Sequence, residues 1–311
     1  MSVTHQPWTH PADGTTLVAS AQRRAPVPWR VATALSFGIA AVATYLVTAG
    51  TAAGQQWDQQ VLRYARADLS VLTVPPWARI PWISNPALWL AVAAVVTTFG
   101  LLRGLRWRTL AYLAFAPAAI LLARLLRLTV LTRPSIPGGW DAANAAPSGH
   151  ATAAAATAVV LTMTAPRLLR PIIAVISAAW VTLIGSQLVV AGWHRPGDVL
   201  LAILLVGALT AALLAAQGSG DPRRARRHVA GRVLVLAAVG AAAGVAAIWA
   251  TVGGAGLGTK TTQAFVMIAV CAAVTNAVCV STSGRDSAQL SAGRVPGRSR
   301  LGLRAGTGRA R

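Results

Sequence analysis

The sequence predicts an all-α integral membrane fold of eight spans, built as a six-helix core followed by two extra C-terminal helices. Three observations predict it. Of 311 residues, 55% are hydrophobic and only 11% charged, with a mean hydropathy of +0.58, far from the balance of a soluble domain. Apolar runs long enough to cross a bilayer, about 20 residues at 1.5 Å rise each, recur along the chain. Most of the arginines fall in alternate connections between those runs or in the tails, the pattern that the positive-inside rule gives to cytoplasmic loops.

Residues 1–30 are polar, Pro-containing and aperiodic, and read as a disordered cytoplasmic tail. A first span is expected at 31–50; it is longer than the apolar part of a secretory signal and reads as an anchor. Trp57, Val61, Tyr64 and Ala65 then recur at helical spacing, which predicts a short helix lying in the outer interface. Pro75, Pro76 and Pro81 end it, and Trp77 and Trp82 suit the headgroup belt. Spans at 86–102, 109–131, 150–165, 172–193 and 199–216 complete a core over 31–216. A basic connection at 217–232 leads to two further spans, 233–252 and 264–280, and a basic tail fills 281–311.

Within the added helices, Gly240 and Gly244 permit close contact and read as packing against the last span. The stretch GGAGLG at 253–258 lacks the preceding strand that a nucleotide loop needs and reads as a flexible turn. Cys271 and Cys279 lie eight positions apart on one helix, about 12 Å, too far for a disulfide, so both count as small apolar residues.

The formal charge of +21 does not mark a nucleic-acid partner, because the cations are distributed by loop rather than along one face. Arg23, Arg24 and Arg30 precede the first span; Arg103, Arg106 and Arg108 follow the second; Arg167 and Arg170 follow the fourth; Arg223, Arg224, Arg226, Arg227 and Arg232 follow the sixth; seven more lie after the eighth. All are assigned to the cytoplasm, which places both termini inside a plasma membrane. Lys260 is the only lysine, a bias that suits a GC-rich bacterial genome.

The same topology sends three polar islands to the outside: Arg127 and Arg133, then Ser148 and His150, then His194, Arg195 and Asp198. From His150 to His194 is 44 positions, enough for one helix inward, a turn and one helix back. Taken singly, each island has a plain reading: an interfacial histidine, a helix stop at Pro134, an i, i+4 pair at a helix end. Together on one face, in a chain with seven acidic residues and five histidines, they point to function. Arginine forks match phosphate oxygens, and Gly149 allows close approach to the amides that open a helix. One histidine held by a carboxylate can attack phosphorus, and another can protonate the leaving oxygen.

The motifs Arg133-Pro134, Pro147-Ser148-Gly149-His150 and His194-x-x-x-Asp198, in this order and spacing, resemble the signature of the type-2 phosphatidic acid phosphatase superfamily over roughly residues 50–216. The resemblance implies a phosphatase-like six-helix core and a lipid phosphatase that needs no cofactor or metal and passes through a phosphohistidine. It makes His194 the nucleophile, Asp198 its partner and His150 the acid, with Arg133, Ser148 and Gly149 on the phosphoryl oxygens. The implied partners are the membrane and a lipid phosphate, with the site extracytoplasmic.

Two motifs depart from the pattern. The first expects a lysine where Leu126 stands; Arg127, one residue on, is the nearest cation and is turned by about 100° on an α-helix. The third expects Ser-Arg where Gln187 and Leu188 stand, so a phosphate-binding arginine is missing and Arg195 is the candidate replacement. Two alternatives follow from the same residues: a lipid-phosphate binder or transporter without turnover, and a zinc site at His150, His194 and Asp198, which Arg133 and Arg195 oppose with positive charge.

Overall fold

The structure, a computed structural model, describes residues 28–69, 85–105, 107–166, 168–217, 235, 237–240, 242 and 258–282. Its elements are α1 (Pro28–Thr48), α2 (Ala52–Leu69), α3 (Pro86–Leu102), α4 (Trp107–Leu125) with a π turn (Leu126–Val130), α5 (Gly149–Thr164), α6 (Arg170–Val190), α7 (Pro196–Ala216) and α8 (Thr259–Thr282). Residues 235, 237–240 and 242 are also helical, and no strand occurs among the described residues. Five helices, α1, α4 with its π turn, α6, α7 and α8, are long and apolar enough to cross a membrane, and α3 is a shorter apolar helix. This fits a multi-pass membrane protein.

The bundle is organised around α5. Its Ala-rich sequence buries residues on every side, as expected of a helix without a polar face, and its small side chains let α3, α4, α6, α7 and α8 all pack close. Three of its four threonines return their hydroxyls to the helix: Thr152 to Ser148 O, Thr162 to Ala158 O and Thr164 to Val160 O, each at 2.8 Å. On the other side of α7, a Cβ at Gly207 would meet the Phe37 ring at 2.5 Å, so glycine sets how closely α1 and α7 pass.

Arginines read as cytoplasmic collect at one end of this bundle. Arg103 Nη1 donates to Met163 O at 2.7 Å and Thr164 O at 3.2 Å, Arg170 Nη2 to Ala165 O at 3.1 Å, and Arg30 Nη1 to Leu214 O at 2.5 Å. They cap the carbonyl ends of α5 and α7, where positive charge is favoured.

Several boundaries differ from the sequence expectation for identifiable reasons. The helix expected to reach residue 193 stops at Val190, because Gly192 takes φ 77° and reverses the chain. The next helix starts at Pro196 rather than 199, proline being suited to the first helical position; Asp198 therefore lies in its first turn. The helix expected to end at 131 leaves α-geometry at Leu125, and Leu131 N–H bonds to Leu126 O at 2.8 Å. The 100° offset deduced for Arg127 assumed a regular α-helix, which this turn is not. In α2 the buried row is Val61 and Ala65 with Trp57 beside them, whereas Tyr64 is 55% exposed: the inward stripe follows i, i+4 and Tyr64 falls on its flank. Gly240 packs on both α6 and α8, its Cβ position lying 3.1 Å from Ala178 Cβ and 3.2 Å from Ala273 Cβ. Cys271 and Cys279 are free thiols. The N-terminal tail to residue 27, Trp77, Trp82, Gly244, residues 253–257 and the tail from 283 lie outside the described residues.

Candidate functional site

At the end of the bundle opposite those arginines, the Pro-Ser-Gly-His corner opens α5. Ser148 is its N-cap, with Oγ accepting from Ala151 N–H at 3.3 Å, the use expected of serine at that position. Ser148 N–H donates to Asp198 C=O at 3.1 Å, which ties the start of α5 to the start of α7. A Cβ on Gly149 would meet nothing within 4 Å, so the approach to the first amides of α5 is clear. His150 follows, its ring 5.6 Å from that of Trp193 at 55°.

His194 sits in the turn between α6 and α7, only 8% exposed, its backbone N–H held by Leu188 O at 3.2 Å. Its Nδ1 lies 3.6 Å from Asp198 Oδ2. That same oxygen accepts from Arg195 N–H at 3.0 Å, the returning half of a capping box. Asp198 thus both caps α7 and faces the histidine.

Arg133 comes from the loop after α4, and its side chain is 3% exposed. Its Nη1 is 3.8 Å from Asp58 Oδ2, while its buried Nε and Nη2 make no hydrogen bond. Burial, and next the neighbouring Arg195 charge, press this guanidinium below arginine's ordinary pKa. Arg195 Nε donates to Gln59 Oε1 at 3.2 Å. Arg127 stands on the π turn, where its carbonyl accepts from Asn144 Nδ2 at 3.3 Å; among the described residues no ion pair joins it to the others. At the third motif, Leu188 is fully buried in the core, and Ser186 Oγ and Gln187 Nε2 are buried without a hydrogen-bond partner. Among the described residues, no cluster of three or more His, Cys, Asp or Glu side chains is arranged as a metal site.

Sequence reasoning missed the brace that holds these groups. Along α2, Gln55 Nε2 donates to Ala49 O at 2.7 Å and Pro134 O at 2.9 Å while its Oε1 accepts from Trp140 N–H at 2.9 Å. Gln56 reaches Gly138 O, and Arg63 lies 3.9 Å over the Trp140 ring. From α1, Tyr45 OH bonds the backbone of Thr132 on both its N–H and C=O. Asn144 closes the loop from inside, donating to Leu131 O at 2.8 Å and accepting from Ala146 N–H at 3.1 Å. The available signal was GQQWDQQ itself, a polar run containing one of only seven acids in a chain of this hydropathy.

The model of the PAP2 superfamily matches residues 128–221. The resemblance read from the motifs is thereby borne out over this segment. The segment contains Arg133, Ser148, Gly149, His150, His194, Arg195 and Asp198, and it excludes Arg127, all of α2 and α8. Members of the superfamily are phosphatases, which supports a phosphoric ester hydrolase. No curated protein and no solved structure gave a significant match.

Asp58 gives this site a pH signature. Burial, and then the nearby Asp198 charge, push its carboxyl up to about 7, so burial costs the carboxylate more than Arg133 returns. Above about pH 4 the unfolded chain has released a proton that the folded chain still holds. The stability from this group is therefore fully present at low pH, declines as pH rises towards about 7 and is flat beyond. The apparent melting temperature in detergent is expected to fall between about pH 4 and about pH 7, and Asp58→Asn to flatten that fall; an identical slope in the variant would contradict the assignment.

Proposed function

We propose that the chain is a membrane lipid phosphatase whose site faces the extracytoplasmic side of the plasma membrane. Its substrate is a phosphomonoester or diphosphate of a lipid, of the phosphatidic acid, phosphatidylglycerol phosphate or polyprenyl phosphate class. The observation that carries this reading is the 3.1 Å hydrogen bond from Ser148 N–H to Asp198 C=O, which brings the two histidine motifs to one end of the bundle. The arginines capping the opposite end support its orientation.

With Nδ1–H directed at Asp198, the Nε2 lone pair of His194 attacks phosphorus. A P–N bond forms as the ester P–O bond breaks, and His150 gives its proton to the departing oxygen. Water, losing a proton to His150, then attacks phosphorus; the P–N bond breaks, phosphate leaves and His194 is restored. Charge on the phosphoryl oxygens is met by the free Nε–Nη2 edge of Arg133, by the Ser148 hydroxyl and the Gly149 amide, and by Arg195. No step calls on a metal or an organic cofactor. The His194–Asp198 separation of 3.6 Å is longer than a hydrogen bond, as catalytic pairs often are before substrate tightens them.

The uncharged third motif favours one rival, a lipid-phosphate binder or transporter. Purified protein given a panel of lipid phosphates with a chelator and no added metal separates them. Phosphate release blocked by orthovanadate is expected. Binding without release would establish the rival, and release abolished by the chelator would establish a metal mechanism.

A further inference from the structure

Asp58 lies outside the matched segment, yet its two oxygens touch both halves of the site. Oδ1 accepts from Gly197 N–H at 2.8 Å, closing one of the amides left open at the start of α7. Oδ2 lies 3.8 Å from Arg133 Nη1 and is buried without a hydrogen bond. We propose that Asp58 is a positioning residue: it holds Arg133 by the Nη1 end so that the Nε–Nη2 edge is presented to the phosphoryl group, and it fixes the turn of α7 that carries Asp198.

The geometry leaves Arg133 little other freedom. Both neighbours of Arg133 are clasped, Thr132 by Tyr45 and Pro134 by Gln55, so the base of the side chain is fixed by backbone contacts and its tip by Asp58. A guanidinium offers five donors in a rigid fork; with Nη1 facing Asp58, the unbonded Nε–Nη2 edge is the one suited to two phosphoryl oxygens. Gly197 is what admits the carboxylate: a Cβ there would lie 2.6 Å from Thr48 Oγ1 and 3.0 Å from Asp58 Oδ2. The raised pKa of Asp58 fits a group retained for placement rather than for stability.

This inference rests on the phosphatase reading for the identity of the anion, and its test separates the two. At about pH 8, above the pKa of about 7 that burial gives Asp58, Asp58→Asn keeps an oxygen for Gly197 N–H and removes the charge that holds Arg133; Asp58→Ala removes both. On the full-length protein in detergent, Asp58→Asn is expected to weaken orthovanadate binding by calorimetry about tenfold and to raise KM for a lipid phosphate by a similar factor, with a smaller fall in kcat. Asp58→Ala is expected to lower kcat about tenfold further, through displacement of Asp198. Wild-type vanadate affinity and KM in Asp58→Asn would overturn the hold on Arg133, and equal kcat in the two variants would overturn the hold on α7. If the wild type neither binds vanadate nor releases phosphate, the phosphatase reading falls and takes this inference with it.

Discussion

Replacing His194 with alanine is expected to lower phosphate release about a thousandfold or more, the usual consequence of deleting a covalent nucleophile, without unfolding the protein. The ring makes no hydrogen bond among those that hold the turn. His194 lies in a turn rather than within a helix, its backbone bond to Leu188 O needs no side chain, and its Nδ1 is buried with no hydrogen-bond partner. Such a group costs stability where it stands, so the variant should melt at or above the wild-type temperature while losing turnover. Asp198→Asn should fall between: its amide oxygen still accepts from Arg195 N–H, so the cap on α7 survives, but the charge that stabilises a cationic imidazole is gone. Release of phosphate is the readout, with the melting temperature as control. Near-wild-type turnover in His194→Ala would remove the phosphohistidine mechanism outright.

The motifs of the candidate site were the most legible part of the chain. The Pro-Ser-Gly-His corner against an Ala-rich run announces a helix start, whereas the start at Pro196 was placed three residues late; the return distance between the two histidines follows from bilayer thickness. Periodicity likewise gave the apolar helices, because burial in lipid or protein asks for the same residues. What it did not give was contact between distant polar side chains. Nothing in the spacing of Gln55, Asp58 and Gln59 says that they face Pro134, Gly197 and Arg195, since those partners lie far along the sequence and depend on how α2 meets the loop after α4 and the ends of α6 and α7. Turn geometry was equally hidden: the left-handed Gly192 and the π turn at Leu126–Val130 each moved a boundary that an ideal helix would have carried on.

The second large effect belongs to Arg133. Arg133→Gln is expected to cut kcat/KM by about a hundredfold to a thousandfold, the range for losing one preorganised donor to a developing oxyanion, because the missing third-motif arginine leaves fewer forks to share that charge. Arg133→Lys should recover only part of the loss: a point charge replaces attraction but not the two parallel hydrogen bonds of a planar edge. The pair with Asp58 turns this into a test of mechanism. If Asp58 acts by aiming this guanidinium, Asp58→Asn should matter in the wild type and scarcely at all once Arg133 is glutamine, since residues serving one interaction do not add. Multiplying effects in the double variant, measured as kcat/KM on one lipid phosphate, would mean that the carboxylate works on the substrate or on α7 without passing through Arg133.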